Sequence, residues 1–303
     1  MKSAPAPADL HAATSGGARV VQIFGASSAV GQSLLPLLRA TGCALVASSR
    51  TPPDPLLRAG LRWRRECLPD AAPPDPATTH VLSLGPLDLF TGWLCRLSPG
   101  GALRQVVALG STSVRTKQAS AAIGERELAR RLLDAEARLA HECARLGARW
   151  TLLRPTLIYG GEHGLVARIG AVAARWHVYP RPLGRIGRAL RQPVHVQDLA
   201  RVVYAALDNA GALDRAFELG GGEVLALAAL CRRAAVAGTR VALPLPLPTG
   251  WLLHIADTLR LLPASAAMSR DSLARMAQDQ LCDNTPAAAA LRHAPRGFDP
   301  GRR

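Results

Sequence analysis

From residue 20 onward, short apolar runs alternate with longer amphipathic stretches, and each run is stopped by Gly, Pro, Ser or Asp. Runs of five or so Val, Ile, Leu and Ala read as buried strands, and the stretches between them read as helices. The pattern predicts strands at Arg19–Phe24, Ala44–Ser48, Leu61–Arg65, His80–Leu84, Gln105–Leu109, Arg149–Leu153 and Ala216–Leu219, with a short one at Val194–Val196. A helix is predicted over Gly31–Ala40, bent by Pro36, and a long one over Gly124–Leu146, stopped by Gly147. Asp198 is expected to cap a helix over Leu199–Asn209. Strand and helix in alternation imply an α/β fold with a parallel, doubly wound sheet.

The expected organisation is a flexible tail over residues 1–19, then a nucleotide-binding domain over 20–155 completed by segments near 190–220. Residues 156–303 would then form mainly a smaller C-terminal lobe for substrate. Val241–Leu262 is the most apolar long segment, but prolines 244, 246 and 248 interrupt it, so no membrane span is expected. Within it, Trp251–Leu262 reads as an amphipathic helix packed on the lobe.

Composition narrows this picture at two points. The chain of 303 residues carries a net charge of +15, yet its arginines are spread along the whole length and aromatics make up only 4%. That pattern fits an Arg-rich composition better than a nucleic-acid face, which would cluster basic residues among aromatics. Six widely spaced cysteines without a Cys-x-x-Cys pair point away from zinc and disulfides, and towards a reducing, cytoplasmic setting.

The candidate chemistry begins at Gly25-Ala-Ser-Ser-Ala-Val-Gly31, which links the first strand to the first helix. A Gly-rich turn there lets backbone N–H groups and the positive end of the helix meet a pyrophosphate. Gly25 permits the tight turn and Gly31 permits close helix–strand packing, while Ser28 and Ala29 stand where a middle glycine would sit. A carboxylate at the end of the second strand would select NAD(H) through the ribose hydroxyls. Ser49-Arg50 stands there instead, and a hydroxyl beside a guanidinium favours the 2′-phosphate of NADP(H), with NAD(H) left open.

Further segments extend the pattern: Val106-Val-Ala-Leu-Gly-Ser-Thr-Ser113, Leu153-Arg-Pro-Thr-Leu-Ile-Tyr-Gly160, Val194-His-Val-Gln-Asp-Leu-Ala200, Phe217-Glu-Leu-Gly-Gly-Gly222 and Pro295-Arg-Gly-Phe298. In this order, with the glycine loop, the chain resembles the extended or atypical short-chain dehydrogenase/reductases, the epimerase-like branch. The resemblance implies a Rossmann-type sheet, usually of seven strands, and a C-terminal lobe for a small-molecule substrate, often a nucleotide sugar. It implies cofactor contacts at Gly25, Ser27, Ser28, Val30, Gly31, Ser49, Arg50, Leu84, Gly85, Pro155 and Thr156, and a substrate-positioning role for Ser111. It also leaves room for a homodimer built on the helices flanking the site, one of them Gly124–Leu146.

In such enzymes a Tyr exchanges a proton and a Lys four residues later lowers its pKa. The only lysines here are Lys2 and Lys117, and no Tyr precedes either by four, so the pair is absent throughout. The family's spacing, supported by Glu136, puts the pair at Leu128 and Leu132, which are expected to fill the space with core packing. Cys67 stands where the family often has an acid near the adenine, and Tyr159 reads as the motif's structural tyrosine. His195 reads as a satisfied, half-buried histidine. Two readings remain: an oxidoreductase or epimerase whose proton comes from elsewhere, and a cofactor-bound component without turnover, as in the atypical accessory subunit of respiratory complex I.

Overall fold

Seven parallel strands, buried at the centre and more exposed at the two edges, carry the molecule. They are β1 (Val20–Phe24), β2 (Ala44–Ser49), β3 (Arg62–Arg65), β4 (His80–Ser83), β5 (Gln105–Leu109), β6 (Arg149–Pro155) and β11 (Arg215–Leu219). Their order across the sheet is β11-β6-β5-β4-β1-β2-β3 in this computed structural model, which describes residues 19–52, 61–112, 114, 123–239, 241–248 and 276–301. The predicted Trp251–Leu262 helix, and the predicted tail except for Arg19, lie outside the described residues. The strand order reverses between β1 and β4, where a doubly wound sheet opens a crevice at its C-terminal strand ends.

Alternation along the strands feeds two cores. Val21 and Ile23 of β1, Leu82 of β4 and Val107 of β5 pack under α1 (Ala29–Arg39), α6 (Val196–Ala205) and α8 (Thr285–Leu291). Phe24, Val81, Val106 and Leu152 point the other way, under α2 (Leu87–Leu94) and α3 (Ile123–Arg145). Phe24, Phe90 and Trp93 interlock there, with Phe24 and Trp93 edge to face at 4.8 Å. Gln105 is one of several buried polar residues of the sheet: its side chain donates to Ala206 O at 2.8 Å and accepts from Asp208 N at 2.8 Å. It thereby ties the end of α6 to the sheet.

The C-terminal lobe has a third core, built on β7 (Ile158–Tyr159), α4 (Leu165–Trp176), β8 (Val178–Pro182), α5 (Gly184–Arg188), β9 (Leu190–Arg191), β10 (Val194–His195), β12 (Leu225–Ala226), α7 (Leu227–Gly238) and β13 (Leu243–Leu247). β13, Leu-Pro-Leu-Pro-Leu, runs parallel to β8 with Leu243 N donating to His177 O, so the alternating prolines fall on its free edge. An edge without N–H donors resists pairing with another chain. Among the described residues, no helix is long and apolar enough to cross a membrane.

One predicted cap is corrected. The helix starts at Val196, and its cap is His195, whose Nδ1 accepts from Gln197 N at 3.2 Å. Asp198 lies inside the first turn, because its carboxylate is taken by Arg296: the Arg296 backbone N–H donates at 3.0 Å and Nη2 at 2.9 Å. The helix also ends at Ala205 rather than Asn209, whose side chain instead caps a short 3₁₀ turn over Ala210–Ala212.

Candidate functional site

The glycine loop sits at the crevice. Gly25 adopts φ +77°, and a Cβ there would stand 3.3 Å from the Leu84 carbonyl carbon. The turn therefore lies directly against the end of β4, where Leu84 N donates to Phe24 O at 3.0 Å. A Cβ on Gly31 would meet Ala26 O at 2.4 Å and Gly25 O at 2.6 Å, so only glycine lets α1 start this close to β1. Ser28 caps α1, its Oγ accepting from Gly31 N at 3.1 Å. Val30 is buried in the core, so only its backbone belongs to the loop.

Ser27 and Ser49 are brought together, their hydroxyls 2.6 Å apart, which fastens the loop to the end of β2. Ser49 Oγ also accepts from Thr51 N at 3.2 Å, and Arg50 beside it is exposed. Glu66, after the end of β3, accepts from Ser48 Oγ at 2.9 Å, with Arg64 at 3.5 Å. Cys67 after it is exposed.

At the other half of the crevice, Gly85 has open space around its missing side chain and Ser111 is half-buried after β5. Pro155 O accepts from Thr112 N at 3.3 Å, holding the ends of β5 and β6 together. Thr156 turns its hydroxyl to Gln192 O, and its N–H to Leu219 O at 2.9 Å. Both of its polar groups are thereby engaged within the protein.

The long helix carries the expected vacancy. Leu128, Leu132, Ala135, Leu139, Cys143 and Leu146 recur at helical spacing on one stripe. Of these, Ala135, Leu139, Cys143 and Leu146 are buried beneath α2, whereas Leu128 and Leu132 are half-buried, with Ala129 between them 1% exposed. The leucines expected to fill that space are thus partly covered, and among the described residues α2 packs on the later turns of the stripe. One turn after Leu132, Glu136 accepts two bonds from Arg154, the Nε bond at 2.9 Å. That fork–fork pair raises the guanidinium pKa, with the Glu136 hydrogen bond as the main cause. Neither partner is left over to exchange protons.

Tyr159 is the structural residue that its motif suggests. It is 2% exposed, donates to Gly297 O at 3.0 Å, accepts from Asp299 N at 3.2 Å and meets Phe298 edge to face. Burial raises its pKa. His195 departs from the half-buried, satisfied histidine expected: it is 2% exposed, and its Nε2 has no hydrogen-bond partner among the described residues. Burial first, then the Arg296 charge, lowers its pKa, and the cap on Nδ1 leaves the proton on Nε2. Nε2 faces Gly160 (φ +100°), where a Cβ would lie 2.4 Å away. The next residue, Gly161, has a built Cβ position 2.6 Å from Ala29 Cβ, so the turn after β7 rests on the glycine loop. Only two glycines in a row fit between His195 and Ala29, a coupling visible in the sequence as Tyr-Gly-Gly but unassignable there.

Among the described residues, no group of three or more His, Cys, Asp or Glu is placed to hold a metal. A surface cavity of about 340 Å³ lies between α7 and the tail, lined by Arg232, Val236 and Asp299 among others, rather than at the strand ends.

Solved structures with a similar fold are found at low sequence identity. UDP-glucuronic acid 4-epimerase from Bacillus cereus, in complex with UDP-glucuronic acid and NAD, is 14% identical, with a TM-score of 0.65 over 92% of this chain and 95% of its own. UDP-N-acetylglucosamine 4-epimerase from Bacillus cereus is also 14% identical, with a TM-score of 0.64 over 94% of this chain and 96% of its own. The terminal R domain of the myxalamid PKS-NRPS biosynthetic pathway is 16% identical, with a TM-score of 0.67 over 95% of this chain and 89% of its own. No family model and no curated protein matches the sequence. The chain therefore shares the fold of these epimerases and of the R domain, a parallel, doubly wound α/β sheet of Rossmann type.

Proposed function

We propose that this protein binds a nicotinamide dinucleotide, with NADP(H) preferred, and holds it without a general acid–base of its own. The observation that carries the reading is the pair of glycine cradles: at Gly25 and Gly31 any side chain would collide with Leu84, Ala26 or Gly25 backbone. That packing brings the turn and the N-terminus of α1 to the strand reversal, where it suits close approach of a pyrophosphate. The residues that would hold the cofactor are Gly25 to Gly31 at the pyrophosphate, Ser27, Ser49 and Arg50 at the adenosine end, and Leu84 and Gly85 beyond. When bound, a nicotinamide donates or accepts a hydride.

The chain's own residues bind and orient. Ser28 spends its hydroxyl on the Gly31 N–H, so its part is to fix the start of α1. The Ser27–Ser49 pair sets the width of the adenosine end, and Arg50 offers an exposed cation to a 2′-phosphate. Leu128 and Leu132 carry no proton, and losing a positioned acid–base typically costs about 10²–10⁴-fold in rate. A carrier, sensor or assembly component fits these features. A slow oxidoreductase or epimerase is the second reading. Ser111, which survives at the end of β5, favours it, as do the nucleotide-sugar ligands of fold relatives.

Calorimetric titration with NADPH and NADH of the wild type and Arg50→Asp tests the preference. A guanidinium–phosphate contact contributes about 1.5–3 kcal/mol, so the substitution is expected to weaken NADPH about tenfold or more and leave NADH unchanged or tighter. Equal weakening of both would remove Arg50 from recognition.

A further inference from the structure

We propose that the edge ribbon of β8 and β13 is the contact face by which the C-terminal lobe docks on an anionic lipid surface.

The arginines are spread along the chain, but the carboxylates are not. Between Glu162 and Asp198, and again between Glu223 and Asp257, the sequence holds nine arginines and no Asp or Glu. These two stretches build α4, β8, α5, β9, α7 and β13, so much of the +15 charge is concentrated in one lobe. Arg175, Arg181, Arg185 and Arg188 are exposed, and none of them is ion-paired among the described residues. Acids that touch these elements are engaged elsewhere: Asp279 accepts from Leu190 N at 2.7 Å, and Glu223 is held by Arg233.

The same ribbon leaves large apolar side chains in water. Trp176 is 51% and Leu243 65% exposed, and Val241, Leu245 and Leu183 are exposed with them. His177 O accepts from Leu243 N at 2.7 Å, and Val241 O lies 3.2 Å from His177 Nδ1, which brings the end of α4 at Trp176 beside Val241 and Leu243. At the other end of the ribbon Leu183 N donates to Leu247 O at 3.2 Å. The arginines are interleaved with these residues: Arg175 precedes Trp176, Arg181 pairs in register with Pro246, and Arg185 follows Leu183 within α5.

Apolar side chains set among unpaired cations suit a lipid surface. Trp settles at headgroup level, Leu and Val reach the acyl boundary, and arginines meet anionic headgroups while their stems lie along the apolar face. A nucleic acid would meet the cations but gain little from Val241, Leu243 and Leu245, with Trp176 the ribbon's one exposed aromatic to stack on a base. A second copy would set the same positive charge against itself, and the proline edge of β13 has no N–H donors for strand pairing.

The test is co-sedimentation of the full chain with vesicles of phosphatidylcholine alone, or of phosphatidylcholine and phosphatidylglycerol in equal parts, at low and high salt. One variant combines Val241→Ser with Leu243→Ser, and the other Arg181→Ala with Arg185→Ala; all four side chains are exposed, so an unchanged melting temperature is expected in both. Binding is expected to the anionic vesicles only, weakened by salt, by about fivefold for each arginine removed, and by about tenfold or more in the serine variant. A folded wild type that ignores anionic vesicles, or a variant of either kind that binds them as tightly as wild type, overturns the proposal. Equal binding to the neutral vesicles overturns the anionic surface. Tighter binding to a labelled single-stranded oligonucleotide, unmoved by the serines, overturns it in favour of a nucleic acid. A dimer that the serines dissociate overturns it in favour of a second copy, and a melting temperature that they lower overturns it in favour of cover by the chain itself.

Discussion

Replacing Asp198 by Ala breaks the strongest polar tie between the C-terminal tail and the helix that backs the crevice. Asp198 is 4% exposed, third in α6, and accepts from the Arg296 backbone N–H at 3.0 Å, from its Nε at 3.0 Å and from its Nη2 at 2.9 Å. Arg201 adds a bond at 3.2 Å, but its side chain is 66% exposed, so that pair contributes roughly 0–1 kcal/mol. Removing one partner of a buried ion pair costs about 3–5 kcal/mol because the other charge is stranded. The Arg296 side chain is 26% exposed and keeps some hydration, which puts the expected loss near the low end, at about 3 kcal/mol. The effect should travel further, since Gly297 O and Asp299 N hold the Tyr159 hydroxyl, and Tyr159 leads into the Gly160–Gly161 turn that rests on Ala29. Urea denaturation of the wild type, Asp198→Ala, Arg296→Leu and the double variant measures the coupling. The double variant should recover a large part of the loss, because no charge is then buried alone. A loss under about 1 kcal/mol for Asp198→Ala, or strict additivity in the double variant, would refute this reasoning.

Three other outcomes follow from the geometry. Gly31→Ala forces a methyl group against two backbone carbonyls, and should lower stability by about 1–3 kcal/mol and abolish dinucleotide binding, read by denaturation and titration on the same sample. His80, His195 and His293 all have pKa values held below 6.5 by burial, so below that pH the unfolded chain takes up more protons than the folded one. Their contribution to stability is complete above about pH 7 and is lost as pH falls below 6.5, by at most about 1.4 kcal/mol per pH unit for each histidine. His195→Asn, which keeps a cap acceptor, should flatten that slope measurably between pH 6.5 and lower values, and an unchanged slope would clear His195 of the effect. Glu136→Gln unpairs Arg154 at the floor of the crevice; a lower melting temperature restored by Arg154→Met in the double variant is expected, and no change in either would make the pair incidental.

What the sequence disclosed, and what it withheld, follows from the range of each interaction. Most sheet strands are legible because they are short apolar runs ended by a breaker, the Arg-Trp-Arg-Arg of β3 being the exception, and the glycine loop is legible because it needs particular residues at particular places. α2 was not foreseen, since Gly85-Pro86 reads as a stop and the eight-residue helix begins at once after it. β8 and β13 were hidden by their prolines, which a parallel edge pair tolerates. In the site, single residues were foreseen but pairings were not. Ser27 meets Ser49 across 22 positions, Arg154 meets Glu136 across 18 and Arg296 meets Asp198 across 98, and no local pattern encodes such contacts. Asp198 was misassigned for that reason: it has a capping side chain by type, and an arginine from the far end of the chain claims it. Leu128 and Leu132 read as apolar, but how far α2 reaches along their stripe is not written in the local sequence.

The measurement that bears most directly on the central claim is a titration of the protein with NADPH, following quenching of its tryptophans and energy transfer to the cofactor, beside the same titration of Gly31→Ala. The account predicts saturable binding in the wild type and none in the variant. No binding by a folded wild-type chain, or equal binding by both proteins, would contradict it.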